Sequence, residues 1–266
     1  MKPKVLKSKP NVIHFLPNLF TTANLFCGFY SIIASLQDLY IPSVIAIFIA
    51  GIFDLLDGRV ARLTKGGSKF GEEYDSLSDL VSFGIAPAML MYLWSIESFG
   101  RIGWLACFVF IACGALRLAR FNVKTATAEK AYFEGLPIPV AAFVIATTIL
   151  LFHELMLEED RNYFNLALTI VLGFLMVSNI KYRSFKDLDF RDKRSFGFLV
   201  FVVFVLMIVA YNPGVMMFVV MMGYVVSGPI FHLLGQEKKV RAFSRSKKQE
   251  ESTEKGPSLM LIEKKE

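Results

Sequence analysis

The sequence predicts an all-α polytopic membrane protein with about eight transmembrane helices and both termini in the cytoplasm. Three observations support this fold class: the composition, the length of the apolar runs and the placement of the basic residues. Of the 266 residues, 55% are hydrophobic, and the mean hydropathy is +0.51. Apolar runs of about 20 residues, the length that crosses a bilayer as a helix, recur along most of the chain. A β-barrel would instead show alternating segments of about ten residues.

The apolar runs divide the chain into a short basic arm, a membrane domain and a charged tail. The arm comprises residues 1–16, the membrane domain residues 17–234 and the tail residues 235–266. The tail is low in aromatic residues, a composition typical of segments that do not form a packed core. The candidate spans are residues 17–36, 41–63, 73–96, 102–122, 137–153, 163–180, 195–210 and 214–234.

The basic residues support this number of spans. Lys and Arg collect in cytoplasmic loops, so an incorrect number would spread them over both sides of the membrane. With eight spans and a cytoplasmic N-terminus, all 29 lysines and arginines except Arg101 and Arg161 fall on the cytoplasmic side. A basic inner face against anionic lipid then explains the formal net charge of +6, and no nucleic-acid partner is expected.

Four aspartates interrupt the apolar pattern where the second span ends and the third begins. Asp54 and Asp57 are three residues apart, and Asp75 and Asp79 are four apart, so each pair lies on one face of its helix. Such residues are functional candidates because an unpaired charge is costly to bury in a membrane. Four converging carboxylates repel one another unless protons or cations neutralise them. Their oxygen atoms suit hard divalent cations, so we expect a pair of Mg²⁺ or Mn²⁺ ions here.

The residues around the aspartates suit a phosphate ligand. Gly58 lets a ligand approach the helix backbone, and Ala61 keeps the same side open. Arg62 supplies a planar cation for a phosphate group. Two divalent ions about 3.5–4 Å apart grip phosphate groups during displacement reactions, so this segment predicts phosphoryl chemistry. Because intramembrane carboxylates also mark ion pathways, a cation-coupled transporter is the alternative from another class.

The spacing of this segment matches a known signature. It reads Asp54-x2-Asp57-Gly58-x2-Ala61-Arg62-x8-Gly71-x3-Asp75-x3-Asp79. This pattern resembles the signature of the CDP-alcohol phosphotransferase family at every defined position. The resemblance implies an enzyme that transfers a phosphoalcohol or phosphatidyl unit from a CDP-linked donor to an alcohol and releases CMP. It also implies a six-helix core, usually dimeric, with a site that opens to the cytoplasm.

The resemblance also implies a role for each signature position. The metal ligands would be Asp54, Asp57, Asp75 and Asp79. Asp79 would in addition act as the catalytic general base that takes the proton of the acceptor hydroxyl. The CDP site would be lined by Gly58, Ala61, Arg62 and Gly71. Asn24, which lies deeper in the first span than its polar neighbours, is a further candidate for contact with CDP.

Other stretches resemble the phosphatidylserine synthase subfamily. They are LPNLFTTANLFCGFYSI (16–32), DLVSFGIAPAML (79–90), GALRLARFN (114–122), FEGLPIPVAA (133–142) and YRSFK (182–186). The resemblance covers roughly residues 12–190. It implies CDP-diacylglycerol and L-serine as substrates and a homodimer in the lipid of the cytoplasmic membrane.

Four residues are candidates for binding the acceptor or a phosphate group: Arg117, Arg120, Asn122 and Lys186. Arginine suits bidentate binding of carboxylate or phosphate. The same cations could bind the extra phosphate of another acceptor, so glycerol 3-phosphate and inositol phosphate stay open as alternatives to serine.

Overall fold

The computed structural model describes residues 15–64, 68–126, 135–157, 163–180, 182 and 212–232. Within these residues every regular element is a helix, so the predicted all-α class is confirmed. The helices are α1 (Phe15–Leu36), α2 (Tyr40–Thr64), α3 (Lys69–Phe99), α4 (Arg101–Ala126), α5 (Ile138–Leu155), α6 (Tyr163–Val177) and α7 (Pro213–His232).

Six of the described helices are long and apolar enough to cross a membrane, as expected for an integral membrane protein. The exception is α6, which has 15 residues. The predicted span at 195–210 lies outside the described residues, and so do most of the arm and all of the tail. The number of eight spans, the domain boundaries and the cytoplasmic location of both termini therefore stay predictions.

The centre of the bundle is formed by α3 and α5. In the most apolar stretch of α3, 67% of the residues are buried inside the protein, and in that of α5 the share is 56%. The corresponding share of α7 is only 17%, so α7 lies at the periphery of the described bundle. The interior of α5 is built from small and β-branched side chains, among them Ala141, Ala142 and Val144, which let neighbouring helices approach closely.

A hairpin of α1 and α2 carries part of the site. The helices are joined by a short turn in which Asp38 has a φ of 59°. Within the apolar contact between them, the hydroxyl oxygens of Ser31 and Ser43 lie 2.7 Å apart, and those of Ser35 and Ser43 lie 2.8 Å apart. All three serines are buried. These hydroxyls, together with the carbonyl oxygen of Ser31, supply hydrogen-bond partners to one another and tie the two helices together.

α3 changes its geometry directly after the predicted site residues. It is α-helical over Lys69–Asp79 and begins with the Ser68 cap, whose hydroxyl accepts a hydrogen bond from the N–H of Gly71 at 3.0 Å. The next turn, Leu80–Ile85, is π-helical. Such wide turns often occur at functional sites. The regular first part of α3 therefore presents Asp75 and Asp79 one helical turn apart.

α1 lies directly against this part of α3. A Cβ atom at Gly28 would overlap the side chain of Ser82 and come within 2.7 Å of its Cα atom. The Ser82 hydroxyl donates to the carbonyl oxygen of Asn24 at 2.9 Å, and the Ser78 hydroxyl donates to that of Thr21 at 3.0 Å. Because the backbones are this close, side chains of α1 reach the aspartates of both α2 and α3.

Candidate metal and substrate site

Three of the four predicted metal ligands converge at the facing ends of α2 and α3. Asp54, Asp57 and Asp75 each bring one carboxylate oxygen into a group whose members all lie within 4.8 Å of one another. The side chain of Asp57 is 5% exposed, and the other two are half-buried. The i,i+3 spacing on α2 places two of these carboxylates on the face that meets α3.

The chemistry of this acidic cluster (Asp54, Asp57 and Asp75) suits a divalent cation. The Oδ1 atom of Asp75 is buried, and no described residue donates a hydrogen bond to it. The Oδ2 atom of Asp57 accepts a hydrogen bond from the Thr21 hydroxyl at 3.2 Å. Three carboxylates this close repel one another strongly where water is scarce. Hard cations bound by oxygen ligands would neutralise them, so the residues fit the expected ion.

Asp79, the fourth predicted metal ligand, lies beside the acidic cluster and has a hydrogen-bond partner of its own. It is 9% exposed and lies one turn after Asp75, close enough to all three members of the acidic cluster for electrostatic interaction. Its carboxylate is not part of the group within 4.8 Å. Its Oδ1 atom accepts a hydrogen bond from Nδ2 of Asn24 at 3.0 Å. The fourth aspartate is therefore held beside the acidic cluster by a neutral partner.

An open cleft of about 280 Å³ lies beside the acidic cluster, and Asp57 and Asp75 form part of its wall. All four signature residues predicted to line the CDP site line this cleft: Gly58, Ala61, Arg62 and Gly71. A Cβ atom at Gly58 would have no neighbour within 4 Å, so this glycine leaves open space next to Asp57. The structure thus brings the predicted nucleotide residues and the acidic cluster to one opening.

Arg62 lies at the edge of this cleft. Its Nε atom donates to the carbonyl oxygen of Gly58 at 2.8 Å, one helical turn earlier. This bond fixes the Nε end of the guanidinium group. The side chain of Arg62 is exposed. Arg62 is among the residues that line the cleft, and a planar cation there suits a phosphate oxygen.

Asn24, the remaining candidate for contact with CDP, lies elsewhere. Its side chain is fully buried, and it does not line the cleft between the described helices. It contacts Asp79 instead. Thr21, three residues earlier on the same face of α1, contacts Asp57 and lines the cleft. The sequence analysis preferred Asn24 to its polar neighbours in the first span, and Thr21 is one of those neighbours; the i,i+3 spacing of the two residues places them on one helix face.

The acceptor candidates differ in their surroundings. Arg117 is 8% exposed, its Nε atom has no hydrogen-bond partner in the described part of the chain, and it interacts electrostatically with Asp79. Arg120 instead donates to the carbonyl oxygen of Val177 at 3.3 Å and to Oδ1 of Asn179 at 2.8 Å. These bonds tie α4 to the end of α6. Arg117 and Arg120 therefore differ in their hydrogen-bond partners, and their predicted role in binding the acceptor stays a prediction.

The two remaining candidates are Asn122 and Lys186, whose acceptor-binding roles stay predictions. The Nδ2 atom of Asn122 lies 3.0 Å from the Ser76 hydroxyl and 3.2 Å from Oε2 of Glu73, so this side chain links α4 to the first turns of α3. Lys186 lies outside the described residues.

Comparison with known proteins places this site in a family context. The family model for CDP-alcohol phosphatidyltransferases matches residues 14–178. A CDP-diacylglycerol–serine O-phosphatidyltransferase of Helicobacter pylori is 40% identical over 192 residues, 72% of this chain and 81% of that protein. The Bacillus subtilis protein of the same name is 33% identical over 174 residues, 65% of this chain and 93% of that protein.

An archaeal relative extends this similarity. The archaetidylserine synthase of Methanothermobacter thermautotrophicus is 39% identical over 170 residues, 63% of this chain and 69% of that protein. The matched residues 14–178 contain α1 to α6, the acidic cluster, Asp79 and Arg117. The last described helix, α7, begins beyond them.

Proposed function

Because the chain belongs to the CDP-alcohol phosphatidyltransferase family, we propose that it transfers the phosphatidyl group of CDP-diacylglycerol to L-serine. The products would be phosphatidylserine and CMP. The observation that carries the chemistry is the acidic cluster at the wall of an open cleft lined by the signature glycines and Arg62. The choice of serine is supported by the names of relatives up to 41% identical to this chain.

The proposal includes two divalent ions, Mg²⁺ or Mn²⁺. The acidic cluster would hold one of them, and Asp79 together with members of the cluster would complete the site of the second. Such ions polarise phosphoryl oxygens and stabilise the negative charge of the departing CMP. The buried Oδ1 atom of Asp75 has no donor among the described residues and is a ready ligand atom.

The donor would occupy the cleft with its pyrophosphate next to the acidic cluster. Open space at Gly58 accommodates the approach, and Arg62 offers a cation to a phosphate oxygen. The acyl chains would stay in the bilayer, since α1 and α2 expose large apolar side chains such as Phe26, Phe29 and Leu55. These groups suit contact with membrane lipid.

Asp79 would act as the general base. Its Oδ1 atom is engaged by Asn24, so Oδ2 is the atom proposed to take the proton of the serine hydroxyl. The serine oxygen then bonds to the β-phosphorus, and the bond from that phosphorus to the bridging oxygen breaks as CMP leaves. A carboxylate is a weak base for an alcohol, so the position of the reacting groups must contribute much of the rate.

The surroundings of Arg117 favour serine over acceptors that carry a phosphate. Arg117 is the one buried cation in the described ranges, and Arg120 is bound to the end of α6. One cation suits the single negative charge of a carboxylate, whereas a phosphate dianion would call for further cations. The carboxylates also collect at one end of α2 and α3 instead of along a path, which favours an enzyme over a cation-coupled transporter.

We also propose that the site faces the cytoplasm and that the enzyme is a homodimer in the cytoplasmic membrane. The orientation is supported by the concentration of Lys and Arg on the side of the acidic cluster. Labelling of single cysteines introduced into exposed loops of intact cells tests the orientation. Mass measurement of the purified protein in detergent or nanodiscs tests the oligomeric state.

CMP release tests the function directly. Purified protein is incubated with CDP-diacylglycerol, Mg²⁺ or Mn²⁺, and one acceptor at a time: L-serine, glycerol 3-phosphate or inositol phosphate. Release with serine alone is the expected result. Release with glycerol 3-phosphate alone would overturn the acceptor and keep the family chemistry. No release with any acceptor, together with cation flux in proteoliposomes, would favour the transporter.

A further inference from the structure

The segment of α3 that carries Asp75 has little burial to hold it in place. Between Lys69 and Asp79, Ser78 and Asp79 alone are buried, at the end that enters the bundle. Asp75 lies one turn before that end, and its carboxylate belongs to the acidic cluster. The ionised carboxylates of this cluster push α2 and α3 apart, since repulsion is strong where water is scarce. Apolar packing therefore does not explain what keeps this segment close to α2.

One contact ties the segment to α1. The hydroxyl oxygens of Tyr74 and Thr22 lie 3.0 Å apart. Thr22 directs its single hydroxyl proton to the carbonyl oxygen of Asn18 at 2.7 Å, so Tyr74 is the donor in its bond with Thr22. The Tyr74 ring is also stacked on that of Phe70, with 5.9 Å between the ring centroids and an interplanar angle of 13°. Tyr74 is thus fixed at the position directly before Asp75.

A second contact ties the segment to α4. The Nδ2 group of Asn122 donates to Oε2 of Glu73 at 3.2 Å and to the hydroxyl oxygen of Ser76 at 3.0 Å. A side-chain amide has two N–H bonds, so it can serve both acceptors at once. Glu73 and Ser76 lie on either side of Asp75 in the sequence. The metal-ligand candidate is therefore flanked by one hydrogen-bonded contact to α1 and another to α4.

The contact with α1 also connects the two halves of the acidic cluster. Thr21, the residue before Thr22, donates to Oδ2 of Asp57 on α2 at 3.2 Å. Asp57 is therefore linked to Asp75 through Thr21, Thr22 and Tyr74. This link consists of the two hydrogen bonds and of two peptide bonds between sequence neighbours. It restricts the separation of the two carboxylates independently of any bound ion.

We propose that Tyr74 and Asn122 are positioning residues of the metal site, which hold Asp75 close to Asp57 so that one divalent ion can bind to both. The inference rests on the metal site of the proposed function and deepens it. Neither side chain belongs to the acidic cluster, and each acts through the segment of α3 that it binds. Side chains that orient metal ligands without touching the ion contribute to its affinity. A preorganised site also binds more tightly, because less order has to be imposed on binding.

Mn²⁺ affinity tests the proposal without reference to turnover. Binding to the full-length protein in detergent is measured by electron paramagnetic resonance of the free ion. Tyr74→Phe removes the hydroxyl and keeps the ring that stacks on Phe70. We expect it to weaken Mn²⁺ binding about three- to tenfold, as for the loss of one hydrogen bond. Asn122→Ala should have an effect of similar size.

Tyr163→Phe is the matched control. Tyr163 lies at the start of α6 and is 74% exposed, so the same loss of a hydroxyl there should leave the Mn²⁺ affinity unchanged. The unfolding temperature of the metal-free protein is measured for all three variants. We expect it to stay near the wild-type value, because both contacts lie at a segment with little burial.

Asn122→Ala also separates the two roles considered for this side chain. A positioning role predicts that excess Mn²⁺ restores the rate of CMP release, with the KM for serine at the wild-type value. An acceptor-binding role predicts a higher KM for serine at wild-type Mn²⁺ affinity. This second result would overturn the positioning role of Asn122.

The remaining outcomes distinguish this inference from the proposed function. Wild-type Mn²⁺ affinity in Tyr74→Phe and Asn122→Ala would overturn the inference, and so would an equal loss of affinity in Tyr163→Phe. A loss of affinity explained by a lower unfolding temperature would overturn it as well, because the contacts would then serve the fold alone. A wild-type protein that binds Mn²⁺ but releases no CMP with any acceptor would instead overturn the proposed function.

Discussion

Asn24 and Asp79 are joined by a hydrogen bond of 3.0 Å from Nδ2 of the amide to Oδ1 of the carboxylate, and the Asn24 side chain is fully buried. An ionised carboxylate only accepts hydrogen bonds, so the amide nitrogen faces it. The backbone of Asn24 is held as well, because its carbonyl oxygen accepts from Ser82. The proposed base is thus oriented by a helix that carries none of the metal ligands.

This relationship predicts the effect of Asn24→Leu. The substitution keeps the size of the side chain and leaves Oδ1 of Asp79 buried without a partner, which costs about 1–3 kcal/mol. We expect kcat to fall while the KM for CDP-diacylglycerol stays near the wild-type value, since Asn24 does not line the cleft. CMP release and thermal unfolding in detergent measure both effects. A selective rise in the KM for CDP-diacylglycerol would favour a direct contact with the nucleotide.

Asp79→Asn should abolish turnover and preserve donor binding. The amide has nearly the shape of the carboxylate but cannot accept the proton of the serine hydroxyl, and general bases contribute about 10²–10⁴-fold to rates. Calorimetry with CDP-diacylglycerol in detergent measures binding, and CMP release measures turnover. Wild-type turnover in this variant would remove Asp79 from the role of base.

Asp57→Ala should weaken the binding of metal and nucleotide together. The substitution removes a carboxylate of the acidic cluster that also forms part of the cleft wall. Mn²⁺ binding is measured by electron paramagnetic resonance of the free ion. This readout does not depend on activity. Thr21→Val is the matched control: it keeps all the carboxylates, loses only a hydroxyl that hydrogen-bonds Asp57 and the carbonyl oxygen of Pro17, and should weaken Mn²⁺ binding less. Equal Mn²⁺ affinity in Asp57→Ala and wild type would contradict the assignment.

Gly58→Ala and Gly28→Ala should impair different properties of the protein: the first the binding of CDP-diacylglycerol, the second the stability of the fold. A methyl group at Gly58 meets no protein atom within 4 Å, so the unfolding temperature should hold while the KM for CDP-diacylglycerol rises. A methyl group at Gly28 would overlap Ser82 and should destabilise the protein by about 1–3 kcal/mol, as overpacking does. Thermal unfolding and donor KM are measured for both variants. The reverse pattern would show that the open space at Gly58 serves no ligand.

The signature residues that line the cleft lie together because they are neighbours along α2 and α3. Fixed spacing on α2 places Asp57, Gly58 and Ala61 on adjoining positions, and this local geometry does not depend on the rest of the fold. The convergence of Asp54, Asp57 and Asp75 needed only that the facing ends of α2 and α3 meet.

Where the structure differs from what the sequence suggested, the cause is a contact between residues far apart in the chain, which sequence spacing does not reveal. Arg117 and Arg120 share a helix face by spacing, yet Arg120 is drawn to the end of α6, which lies 57 residues further along the chain. The separate position of Asp79 depends on Asn24, 55 residues away. Hydropathy also placed the start of the third span at residue 73, because it does not detect the polar first turn that begins at Lys69 after the Ser68 cap.

The buried hydroxyls of Ser31, Ser35 and Ser43 have a mechanical consequence. They join α1 to α2 within an apolar contact, so the two helices form one rigid hairpin. This hairpin carries Asp54 and Asp57 together with Thr21 and Asn24. Separating α1 from α2 would expose three hydroxyls to lipid. The same contact therefore keeps Asp57 within hydrogen-bond distance of Thr21, because the two residues lie on the two helices that it joins.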